Sequence, residues 1–163
     1  MRFHAIDPDV LAGLRTVDDA GRKPEPYVDD EGGAPLRCCL RRSEPREEIA
    51  LVSFAPLRRW AAGWGVDPGA YDEQGPVFIH ADECAGPSGS DAAYPVALHG
   101  EHRVLRAYGT DGHILGGRLI AVDSADAADA VPAALAEMFN DPSVVLVHAR
   151  AVEFGCFLFE VRP

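Results

Sequence analysis

The decapeptide "GPVFIHADEC", residues 75–84, runs from apolar strand-forming residues into His80, Asp82, Glu83 and Cys84. All four side chains exchange protons and bind metals, so a segment that reads as a buried strand delivers its chemistry at its end. On an extended strand Phe78 and His80 share one face while Val77, Ile79 and Ala81 share the other, which implies two partly buried faces. A strand end fixes geometry and the following loop admits a ligand, which suits His80 as a catalytic proton donor or acceptor. The same position equally suits a core histidine bonded to backbone. Asp82 and Glu83 are sequence neighbours that point apart when extended, so they form no general acid and base pair and read as solvated.

A second constellation lies in "VHARAVEFGCF", residues 147–157. His148 and Arg150 share a strand face, and a hairpin through "EFG" brings Cys156, Phe157 and Phe159 back alongside them. An arginine half-buried among aromatic rings needs a carboxylate or a bound anion, and its planar fork suits both. Arg150, with His148 and Arg37, is therefore a candidate ligand-binding group for a small anion. The other reading is an internal salt bridge, for which this acidic chain holds many partners.

His80, Cys84, His148 and Cys156 together make a His2Cys2 set suited to a zinc-type metal. The spacings H-x3-C and H-x7-C depart from those of zinc fingers. A tight turn also puts His148 and Cys156 on opposite faces, unless a bulge at Gly155 realigns them. Unpaired cysteines otherwise serve as small buried hydrophobes.

Two further groupings stand out. Arg37, Arg41, Arg42, Arg46, Arg58 and Arg59 concentrate positive charge, as an anion or partner patch or, interleaved with Glu44, Glu47 and Glu48, as surface ion pairs of small worth. Cys38 and Cys39 in "LRCCL" are expected on opposite faces of a strand, as buried thiols or a vicinal redox pair.

Positioning these groups takes a sheet. Runs of β-branched and aromatic residues occur near the start ("RFHAI") and at 36–40, 49–54, 76–80, 103–109, 114–122, 144–152 and 156–161. Hairpins are expected at "RSEPRE", at "TDGH", where Asp111-Gly112 suits a two-residue turn, and at "EFG". One helix is expected after Asp7 and Pro8, and another over much of "SADAADAVPAALAEMFND", with Pro132 kinking it or starting its regular part. A shorter one at 54–65 carries a weaker pattern. Consecutive strands with few helices predict an α+β fold, a mostly antiparallel sheet with one or two helices packed on a face. The long polar stretches 15–35 and 84–95 read as surface loops. No G-x-G-x-x-G follows a strand, "GPSGSD" does not sit between strand and helix as a nucleophile elbow must, and no Walker A sequence occurs.

The chain has 163 residues, which fits one domain over 1–163 with 47% hydrophobic residues to build its core. A formal net charge of −11 repels polyanions, so nucleic acid is not the expected partner. "MRFHAIDPDV" turns acidic where a signal peptide turns apolar, and no run has membrane-spanning length. A cytoplasmic location is expected, with Cys38, Cys39, Cys84 and Cys156 as thiols or ligands and no C-x-x-C pair among them.

"PLRCCLRRSEPREE", "GPVFIHADEC" and "VHARAVEFGCFLFEV", in this order with "RAYGTDGHI" between the last two, resemble the bacterial family called domain of unknown function 1203, from about Phe3 to Val161. Its pattern has Cys-Arg opening the first block, F-V-H-A in the second, and H-V-R-N then E-Y-G-C-F in the last. Residue by residue, the resemblance picks out Arg37, His80, Cys84, His148, Arg150, Gly155 and Cys156. Leu36 stands where the pattern has cysteine and Ala151 where it has asparagine, so a site using those groups is altered here. The resemblance implies no assigned activity or cofactor. Two expectations follow: a small-molecule (anion) binding protein or enzyme with its His/Arg pocket where the "PVFIH" and "VVLVHAR" strands end, or a non-catalytic domain that interacts with other proteins or forms a homodimer through a sheet edge or helix face.

Overall fold

The structure is a computed structural model that describes every residue from Met1 to Pro163. In chain order it contains β1 (Arg2–His4), α1 (Pro8–Thr16), β2 (Tyr27–Asp29), β3 (Pro35–Leu36), β4 (Arg41–Arg42), β5 (Glu47–Phe54), α2 (Pro56–Trp64), β6 (Gly75–His80), β7 (His102–Tyr108), β8 (Ile114–Ala121), α3 (Ser124–Phe139), β9 (Leu146–Ala151) and β10 (Phe157–Arg162). The fold is α+β and mostly antiparallel, as the run of consecutive strands implies. The strands divide between two five-stranded sheets, ordered β1-β10-β9-β7-β8 and β2-β5-β6-β3-β4, in place of the single sheet expected. Alternation identifies a strand but does not choose its partner, which is why the division is invisible in the sequence. No helix is long and apolar enough to cross a membrane.

Alternation builds the first sheet's core. Leu105, Ala107, Val147, Ala149, Phe159 and Val161 point one way and pack with Ala127, Val131, Ala134 and Leu135 of α3. Pro132 lies within that helix, which stays continuous through it. On the opposite face Arg106, His148 and Glu160 are direct cross-strand partners and so lie side by side. There α2 packs Leu57 and Trp60 against Tyr108 and Leu146.

The second sheet buries Ala50, Val52, Phe54, Val77 and Ile79 against Leu11 and Leu14 of α1. That helix starts as its sequence dictates: the Asp7 carboxylate accepts the Asp9 N–H at 2.9 Å, and Pro8 occupies the first helical turn. Phe157 of β10 joins the same core, its ring 5.5 Å from that of Phe54, so the two sheets share apolar contacts.

Three connections differ from their sequence readings. "LRCCL" is not a strand: Leu36 pairs with Arg41, and residues 37–40 form the tight turn that joins β3 to β4, closed by Leu40 N–H to Leu36 O at 3.0 Å. "RSEPRE" is not a hairpin, because β4 pairs with β3 while β5 pairs with β2 and β6. The β7–β8 hairpin turns over Gly109–His113 with only Gly112 at positive φ (78°), a Gly bulge in place of a two-residue turn that needs positive φ twice. The β9–β10 hairpin is present, but its register shift falls between Phe157 and Phe159 and not at Gly155.

Candidate metal centre

The turn at 37–40 is held beside the end of β6 by a short parallel pairing, Leu36 opposite Phe78, and by Arg37 N–H donating to Phe78 O at 2.9 Å. In a turn, unlike a strand, adjacent side chains converge. Cys38 and Cys39 therefore both face His80, the last residue of β6. Cys38 Sγ is 3.2 Å and Cys39 Sγ 3.9 Å from His80 Nδ1, and the two sulfurs are 3.9 Å apart. Four residues on, the chain brings in Cys84, and the four ligand atoms all lie within 4.8 Å of one another. Zinc–sulfur bonds of about 2.3 Å separate tetrahedral ligands by about 3.8 Å, so this Cys3His set needs only small movements to close on an ion.

One sulfur also faces a backbone donor. The His80 N–H donates to Cys38 Sγ at 3.3 Å. Donors aimed at sulfur favour thiolate over thiol. Behind the imidazole, His80 Nε2 lies 3.4 Å from Glu47 Oε1 and 3.1 Å from Arg41 Nη2. The hydrogen bond from Arg41 holds the Glu47 carboxyl down at about 2, so it stays ionised. The nearer Arg41 Nη2 faces Nε2 as a donor, which suits a bare Nε2 with Nδ1–H toward Cys38. A metal on Nδ1 requires the other tautomer, with Nε2–H directed at Glu47, the carboxylate–histidine–metal arrangement of zinc sites.

The thiols are not equivalent. The Cys38 thiol donating to Cys39 lowers the Cys39 pKa and raises that of Cys38, with burial adding to the rise; burial also raises Cys84. Arg15 of α1 donates through Nε to His80 O at 3.2 Å, while its Nη2 is buried with no partner, and its charge acts on Cys84. A cationic side chain bonded to the His80 carbonyl and acting on Cys84 offsets part of the excess negative charge of three thiolates around a divalent ion.

Cys38 and Cys84 stand on the wall of a cleft of about 500 Å³, lined also by the start of α1, by Phe54 and Trp60 and by residues 85–87. Glu160 and Arg162 line it too.

The other sequence candidates lie elsewhere. His148 is 0% exposed, its ring between those of Tyr108 (4.8 Å) and Phe157 (5.0 Å), with Nε2 3.6 Å from Glu160. Burial lowers its pKa. Glu160 stays below the ordinary carboxylate range, because His148 and Arg162 outweigh the opposing effect of burial. Arg150 bonds to Glu73 and, through Nε and Nη2, to Gly155 O at 3.0 and 2.7 Å. Arg37, 2% exposed, donates to Phe157 O at 2.8 Å and to Pro35 O, and burial pulls its pKa down to about 10. Cys156 sits with Arg150 and Glu73 on a smaller cleft of about 200 Å³. Thus the structure gathers His80 and Cys84 with Cys38 and Cys39, and leaves His148 and Cys156 out of that cluster because they belong to the other sheet and its hairpin.

Asp82 and Glu83 are exposed. Four of the clustered arginines form ion pairs: Arg41 with Glu47, Arg46 with Asp30, Arg58 with Asp72 and Arg59 with Asp19. Residues 37–40 contain no Gly, Pro, Asn or Asp to mark a turn, so the convergence of Cys38 and Cys39 is hidden in the sequence. The one available signal was the number of cysteines close to a histidine-bearing strand.

No curated protein and no solved structure matches the chain. A family model described as Protein of unknown function (DUF1203) matches residues 33–162, starting after β1 and α1 but spanning Cys38, Cys39, His80 and Cys84. The match covers well over half of the sequence and bears out the resemblance carried by the three motifs: the chain belongs to the DUF1203 family.

Proposed function

We propose that this protein binds one thiophilic divalent ion of the zinc type through Cys38 Sγ, Cys39 Sγ, His80 Nδ1 and Cys84 Sγ, at the edge of a cleft that takes a small molecule. The convergence of four ligand atoms within 4.8 Å carries the reading. Soft thiolates with one imidazole in a tetrahedral array select zinc over calcium or magnesium, which take oxygen ligands. His80 then serves as a metal ligand and not as a proton donor. Glu47 orients it, and Arg15 and Arg41 offset the negative charge of the thiolates.

The small-anion reading attaches to the lesser cleft, where Arg150 is the cationic wall; an incoming anion has to displace Glu73 from it. A second reading, self-association as a homodimer, draws support from β8, an outer strand of eight residues whose Leu119 is 60% exposed.

The metal reading is tested by elemental analysis of protein purified without a metal-binding tag. Wild-type protein is expected to carry close to one zinc per chain, and His80→Ala and Cys38→Ser close to none. Folded wild-type protein that holds no metal and takes up no added zinc overturns it.

A further inference from the structure

The four ligands are not held alike. Cys38 and Cys39 sit in a turn clamped between paired strands, and His80 is fixed by its pairing with Ile49. Cys84 lies in the stretch between β6 and β7, which contains no strand or α-helix until His102. Cys84 is also the part-exposed thiol of the set, and with Cys38 it faces the cleft of about 500 Å³. The next residues, Ala85, Gly86 and Pro87, form the cleft wall, and Gly86 has φ +79° with open space around it. A loop ligand of this kind leaves its metal at far lower cost than a ligand built into a sheet.

Resting on the metal reading above, we infer that Cys84 is the displaceable ligand and that the cleft admits a low-molecular-weight thiol to the position it vacates. The exchange balances without any oxidant. The incoming thiol's sulfur bonds to the ion, the bond from Cys84 to the ion breaks, and the thiol proton passes to Cys84. One thiolate replaces another, so the charge that Arg15 and Arg41 compensate does not change. A lining that combines Phe54 and Trp60 with the charged Glu160 and Arg162 fits a small thiol that also carries polar groups. A thiol bound this way is held as thiolate, the form in which sulfur is a nucleophile.

The test uses the full chain loaded with cobalt(II), whose sulfur-to-metal absorption counts thiolates, and N-acetylcysteine as the probe. Cys84→Ser protein is expected to keep cobalt with that band reduced by about a third, three thiolates becoming two, and to regain it on titration with the thiol. Cys38→Ser protein is expected to lose cobalt altogether. If Cys84→Ser protein loses cobalt as completely as Cys38→Ser, or keeps it with a spectrum the thiol does not change, the exchange is overturned while the metal site stands. Wild-type protein that binds no cobalt and no zinc removes the metal reading itself.

Discussion

At the scale of single residues, His80 and His148 show how little residue type decides. Both sit on strands among apolar neighbours, yet His80 opens onto three sulfurs and a carboxylate while His148 is sealed. Around His148 stand Arg106 and Tyr108 of β7, Arg150 of β9 and Glu160 of β10, with Glu73 bridging the two arginines. Burial keeps the folded pKa of His148 below 6.5, so as pH falls through that value the unfolded chain gains a proton that the native state refuses. Stability is then lost with acidification, by at most about 1.4 kcal/mol per pH unit from this one group. Urea unfolding between pH 7 and 5 is expected to show this slope in wild-type protein and a flatter one in His148→Phe, with Glu160 contributing only at lower pH. An unchanged slope means that other groups carry the acid sensitivity. Half of the candidate centre was legible at this scale: the histidine and cysteine of "HADEC" are ligands by type and sit at a strand end. Their partners were hidden, because whether adjacent cysteines diverge or converge depends on backbone dihedrals that the cysteines themselves do not set.

At the scale of elements, the strands and helices α1 and α3 follow from period-2 and period-3.6 patterns, and Asp7-Pro8 marks where α1 begins. What the pattern does not carry is pairing. The β3–β4 unit is two residues on each side, too short for alternation to register, and its contact with β6 joins strands about forty residues apart. That parallel pairing, invisible locally, is what delivers Cys38 and Cys39 to His80. The outer strand β8 tests the self-association reading. A dimer formed by pairing two such edges buries Leu115 and Leu119, so sedimentation velocity is expected to give a dimer in wild-type protein and a monomer in Leu119→Lys. A monomer at every wild-type concentration removes that reading and leaves the metal centre untouched.

At the scale of the whole molecule, composition set the outer limits: a net charge of −11 argues against polyanions and in favour of cations. The α+β class followed from strands in series, whereas the two-sheet arrangement did not. In it the first sheet packs α3 on one face and α2 beside a buried polar row on the other, while the second sheet carries the cysteine cluster. An ion at that cluster would tie together the turn at 37–40, the end of β6 and the loop that walls the cleft. X-ray absorption at the zinc edge of the purified protein reads this centre most directly. The account predicts a first shell of three sulfurs at about 2.3 Å and one nitrogen at about 2.0 Å. A shell of nitrogen and oxygen alone, or no zinc in fully folded and reduced protein, contradicts it.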